Sequence, residues 1–214
     1  MIDLGGVFQV VADTMRQEQR HFNQADPYNQ NHGDHIVEIF DLTADSINSL
    51  AGQPLSDAME FAAGQLVSLP ANGSAQVYAK GLAQFAQRFR EYGVSTEELM
   101  MYVRGLLKSD KEDPTIRVNK KEERSSQRAE VLKALMAGLA DWRTVDKGEE
   151  PTRDPLDVGY LFDLGVAYMS AKTRGGGRAK VIADAAVSVT PLNAIPHRAE
   201  SGRLAIQTLL EAMM

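Results

Sequence analysis

Asp26-Pro27-Tyr28-Asn29-Gln30-Asn31-His32-Gly33-Asp34-His35 packs donors, acceptors and ionisable groups into ten residues ahead of an apolar-periodic stretch. Carboxylates beside carbonyl and amide oxygens suit a hard cation such as Mg²⁺. His32 and His35 around Asp34 suit a borderline metal instead. Asp34, Glu38, Asp41 and Asp45 follow at steps of four, three and four, which draws an acidic face along one helix. The plainer account of the same residues is a turn with a helix cap and a solvated face.

Two further stretches invite an anion, and one more carries a histidine. Pro70-Ala71-Asn72-Gly73-Ser74-Ala75 opens a helix, where backbone N–H groups and the helix dipole favour phosphate; the plain alternative is a loop with Ser74 as a cap. Arg174-Gly175-Gly176-Gly177-Arg178-Ala179-Lys180 combines three glycines with cationic donors, and its plain alternative is a helix end and a surface loop. Pro196-His197-Arg198-Ala199-Glu200-Ser201-Gly202-Arg203 stands at the start of the last helix, where His197 reads equally as a catalytic or a surface histidine. No GxxxxGK[ST], no GxGxxG after a strand and no His-Glu-x-x-His occurs, and residue order assigns no Ser/His/Asp triad.

The elements that must position these residues are helical. Apolar residues recur with helical period at Ile2–Met15, Ile36–Leu50, Leu55–Leu69, Val77–Phe89, Leu99–Leu107, Val131–Trp142, Val158–Met169 and Leu204–Met213. The second helix is expected to begin near Gly33 or Asp34, and Pro70 stops the third. Ser95 or Thr96 with Glu98 predicts the cap of the fifth. Residues 108–123, charged and containing Pro114, read as an exposed loop or flap, and residues 147–155 as another loop. Residues 173–198 read as irregular, with 181–189 undecided between helix and extended chain. The last helix runs from about Glu200 to Met214. One apolar system and no internal repeat predict a single domain over residues 1–214: an all-α antiparallel bundle or barrel of eight helices.

Composition narrows the function. A 43% apolar content supports a core, and no run approaches the roughly 18 apolar residues of a membrane span. Met1-Ile2-Asp3-Leu4 does not resemble a secretory signal, and the absence of cysteine excludes disulfides and Fe–S clusters and fits a cytoplasmic setting. A net charge of −6 argues against nucleic-acid binding, although Lys172, Arg174, Arg178 and Lys180 form a local basic group.

Taken in order, the four stretches resemble the nucleotide-binding L subunit of bacterial dihydroxyacetone kinases, over nearly the whole chain. The family loop GDGDHGxNM aligns with Asn29-Gln30-Asn31-His32-Gly33-Asp34-His35-Ile36, sharing His32-Gly33. The resemblance implies an eight-helix barrel with ADP or ATP at one mouth and Mg²⁺ near Asp26 (or Gln24), Asn29, Asn31 and Asp34. It places phosphate at Gly73, Ser74 and Ala75, which match the family's GGASG, and puts Gly177 and Arg178, which match its GRAS segment, beside the nucleotide. It also implies phosphoryl transfer in the cytoplasm with a separate substrate-binding kinase subunit, with a homodimer open as well. Two family metal aspartates are Asn29 and Asn31 here, and the GDKTM and DPGA motifs are missing. Neutral amides hold Mg²⁺ more weakly than carboxylates, so the same likeness also implies a binding module that kept the fold without the chemistry.

Overall fold

The computed structural model describes residues 4–69, 71–108, 121–145 and 158–214. Among these, all regular structure is helical: α1 (Leu4–Ala25), α2 (His32–Ser49), α3 (Leu55–Val67), α4 (Gly73–Glu91), α5 (Thr96–Leu107), α6 (Lys121–Val145), α7 (Val158–Arg174), α8 (Arg178–Ser188) and α9 (Pro196–Ala212), with a 3₁₀ turn at Pro191–Ala194. The all-α expectation holds, but these are nine helices rather than eight. Residues 178–188, expected to be irregular or undecided, form α8, and α9 starts at Pro196 rather than near Glu200. The expected flap overlaps α6 from Lys121; its residues 109–120, and the loop at 147–155, lie outside the described residues.

Neighbours follow one another around the molecule. α7 packs on α8, α8 on α9, α9 on α1, α1 on α2, α2 on α3, α3 on α4 and α4 on α6. Arg143 of α6 reaches Asp163 of α7 at 2.8 Å. Successive long helices alternate in direction, so the loops gather at two ends. The loop end holds residues 26–31, 71–72 and the 3₁₀ turn. α5 lies across the opposite end, where Arg104 Nε donates to the carbonyl of Met213 at 3.0 Å. Its start is fixed as its sequence predicts: Ser95 accepts from the Glu98 amide, and the Glu98 carboxylate accepts from the Ser95 amide.

The core sits between these helices. Val11, Met15 and Phe22 of α1 meet Ile36 and Ile39 of α2, Leu66 of α3 and Val131 of α6, all at most 2% exposed. Such burial stabilises by about 1.5–3 kcal/mol per large side chain. Trp142 packs with Val187, Leu192 and Ala199 in a smaller cluster beneath the loop end and donates its indole N–H to the Val77 carbonyl at 3.1 Å. At α7 the apolar stripe faces outward: Phe162, Val166 and Met169 are exposed. No helix among the described residues is long and apolar enough to cross a membrane.

One polar contact lies inside this packing. Arg88 Nε donates to Asp141 Oδ2 at 2.6 Å and its Nη2 to Oδ1 at 3.2 Å, tying α4 to α6 with both side chains under a tenth exposed. The pairing holds the Arg88 guanidinium protonated more firmly than usual. Removing one partner strands the other charge, so Asp141→Ala is expected to cost about 3–5 kcal/mol. The double variant Arg88→Met, Asp141→Leu, which strands neither, should lose clearly less. Urea denaturation of the three proteins reads both values.

Candidate functional site

The loop end is assembled from α1, α2, α4 and α9. α2 can only start where it does because residue 33 has no side chain. A Cβ at Gly33 would stand 2.0 Å from the Gln19 carbonyl of α1. Its first amides are satisfied from across the contact rather than by its own cap: Asn23 Oδ1 accepts from Gly33 N at 2.7 Å and from Asp34 N at 3.2 Å. Asp34 in turn accepts from Asn23 Nδ2 at 2.9 Å and from Gln19 Nε2 at 2.7 Å. These two amide donors hold its carboxyl below the usual carboxylate range.

The loop before α2 is organised by Asp26, which is buried. Its carboxylate accepts the Tyr28 amide at 3.0 Å. Burial pushes Asp26 up, but the Tyr28 amide, the proximity of His197 and the Asn31 and Asn29 amides outweigh it, and its carboxyl lies below the usual range. Gln30 takes the left-handed region at φ 55° within this loop, a conformation the surrounding contacts must hold.

Behind the loop lies a buried polar cluster. His32 Nε2 and Ser201 Oγ share a hydrogen bond of 2.9 Å, and the rings of His32 and His197 stand 4.6 Å apart. His197 and Ser201, four residues apart, occupy one face of α9. Burial, together with His197 and Arg198 nearby, pushes the His32 imidazole down to about 4, so it is neutral at ordinary pH. Ser201 is fully buried and donates to the Arg198 carbonyl at 3.2 Å. It anchors α9 to α2 and presents no nucleophile to a substrate. The Tyr78 hydroxyl is buried beside Ser201 and Arg198 without a hydrogen bond of normal geometry, and burial pushes it up.

Arg198 completes the end. A Cβ at Gly73 would stand 3.3 Å from its Nη2, so the guanidinium lies against the first turn of α4. Its Nε is buried with no hydrogen-bond partner, and among the described residues it makes no ion pair. That turn is capped by Asn72, not Ser74: Asn72 Oδ1 accepts the Ala75 amide at 3.0 Å. The Asn72 amide donates to the His35 carbonyl and to Glu38 Oε2, both at 3.0 Å. Gly73 therefore stands beside a cation, while the Ala75 amide is engaged in the cap.

The sequence-expected site residues divide. Asp26, Asn29, Asn31, Asp34, Gly73, Ser74 and Ala75 lie at this end. Gly177 and Arg178 do not join them, because α8 runs antiparallel to α9 and begins at the opposite end; Arg178 donates to the carbonyls of Leu106 and Lys108 at the end of α5. A metal centre on His32, Asp34 and His35 does not assemble either: His32 points inward to Ser201, while Asp34 turns outward to α1. Mg²⁺ fits poorly for the same kind of reason. Asp26 is spent on its own loop, Asp34 on Asn23 and Gln19, and positions 29 and 31 offer neutral amides. Comparison with protein-family models, curated proteins and solved structures gives no match.

His32 makes the fold sensitive to acid with a definite sign. As pH falls below 6.5 the unfolded imidazole takes up a proton that the folded one refuses. Stability is therefore fully present above pH 6.5 and declines toward pH 4, by about 3 kcal/mol in all. Asp26 and Asp34, held below 3.8, add their losses only at lower pH. Denaturation midpoints measured from pH 7 to 4 should fall for the native chain and stay nearly level over that range for His32→Gln.

Proposed function

We propose that the chain is a helical module that binds a phosphorylated ligand at the loop end, with a nucleoside diphosphate or triphosphate as the ligand that the dihydroxyacetone kinase L-subunit resemblance suggests. The observation that carries the reading is Arg198. A guanidinium against the amino-terminal turn of α4 meets the positive end of a helix dipole, an unfavourable placement for two like charges. A phosphate between them reverses the sign of both interactions: it accepts from the guanidinium and from the helix amides together. The Arg198 Nε, which has no hydrogen-bond partner, supports the reading.

The eight-helix barrel belongs to this proposal. Eight long helices alternating in direction, with α5 laid across one end, support it. Catalysis with a separate substrate-binding subunit is the less favoured form of the reading. Phosphoryl transfer in the L-subunit manner draws on metal-held phosphates, and the carboxylates expected to hold the metal are engaged elsewhere. Binding that relies on Arg198 in place of a metal follows from the same arrangement.

Calorimetric titration separates the two. With EDTA present, ADP and pyrophosphate are each expected to bind, and Arg198→Ala should weaken both by about tenfold or more, the worth of a charge-assisted hydrogen bond. Absence of binding by both ligands, or binding that requires Mg²⁺ and ignores Arg198→Ala, would overturn the proposal.

A further inference from the structure

α7 carries apolar residues on two opposite sides. Leu164, Ala167 and the fully buried Ala171 form the inner side, and α8 is the helix that α7 packs on. Phe162, Val166, Met169 and Thr173 follow one another at steps of four, three and four, about half a turn around the helix from the first set. Phe162 is 70% exposed, Val166 50% and Met169 59%. A contiguous row of large apolar side chains in water marks an interaction surface, and this spacing is the seam by which one helix pairs with another. Gly165 adjoins the seam. Nothing stands near enough to meet a Cβ there, so a facing helix can come close.

The charges on α7 select the partner. Its one acidic residue, Asp163, stands in its first half, and its basic residues, Lys172 and Arg174, stand in its last turn. Beside a parallel copy of α7, like charges meet at both ends. Beside an antiparallel copy, each Asp163 meets the basic end of the other helix, and the two helix dipoles oppose. Within the chain Asp163 pairs with Arg143 at 2.8 Å and Arg174 with Asp184 at 3.9 Å, yet the Asp163 and Arg174 side chains remain 49% and 54% exposed. The seam is complementary to itself in the same sense: bulky Phe162 falls opposite the small Thr173, and Val166 opposite Met169. We propose that the outer face of α7 docks on the same face of a second copy of this chain, antiparallel, about a two-fold axis at the level of Ala167 and Tyr168. Such a contact is isologous and closes on itself as a dimer. It stands apart from the phosphate reading, which uses no residue of α7. The seam is one helix long, so the dimer belongs at the weak end of specific interfaces, dissociating at about 10 μM or above.

Sedimentation equilibrium from about 5 to 500 μM is expected to show the native chain passing from monomer to dimer. Val166→Glu puts a charge in the middle of the seam and should raise the dissociation constant by about tenfold or more. Because residue 166 faces solvent in the monomer, melting temperatures at low concentration should coincide. The chain has no cysteine, so introduced thiols report the orientation: a mixture of Phe162→Cys and Thr173→Cys chains should form disulfide faster than either variant alone. A native chain that stays monomeric throughout overturns the proposal and leaves the face to a different protein. A dimer unmoved by Val166→Glu, or Phe162→Cys chains that join to each other as readily as to Thr173→Cys, overturns it as well.

Discussion

The contact between α1 and α2 at Gly33 governs the loop end. The backbone of α2 approaches the Gln19 carbonyl so closely that only glycine fits, and Asn23 supplies from α1 the acceptor that the first amides of α2 lack. Two helices joined this way cannot slide or rotate independently. His32, one residue earlier, is thereby aimed inward at Ser201, and the loop from Asp26 to Asn31 has to close over a short, fixed span. The position of α9 follows in turn, since Ser201 and His197 pack on a histidine whose direction is already set.

Two arginines show what the fold does with charge. Arg88 is buried deep between α4 and α6 and is matched by Asp141 in two bonds and by Glu91 in a third. Arg198 is partly buried beside a neutral histidine, a neutral tyrosine and the positive end of a helix. Desolvating a cation costs several kcal/mol unless something answers it. The first arrangement is closed within the chain. The second is not closed within the described residues, and an anion placed there would answer it.

Much of this was legible in the sequence, and the failures have physical causes. Helices with one buried face, α2 and α5 among them, announce themselves by period, and α5 by its cap as well. α8 does not: Ala179, Val181, Ala183, Ala185, Ala186 and Val187 are buried on nearly every side, so no stripe exists to be read. That omission propagates. Without α8, residues 173–198 become one loop at one end; with it, direction reverses once more and Gly177 and Arg178 move to the far end. The anion stretch at Gly73 and the loop at 26–35 were placed together by order alone. The part played by Arg198, and the union of His32 with Ser201 across 169 residues, depend on distances that no local pattern carries. Asn72 displaced Ser74 as the cap because its amide also finds Glu38 and the His35 carbonyl, partners supplied by another helix.

The single tryptophan of the chain, Trp142, is seated in the packing layer under the loop end. A Cβ at Gly81 would collide with its ring, its indole N–H is fixed to α4, and Tyr78 stands 6.3 Å away between the indole and the polar cluster. The consequence is optical. All indole emission from this molecule originates in the layer that joins α4, α6 and α9, so a shift in its wavelength or lifetime speaks for that layer alone. The chain carries a built-in gauge of its own loop end, with no label to attach.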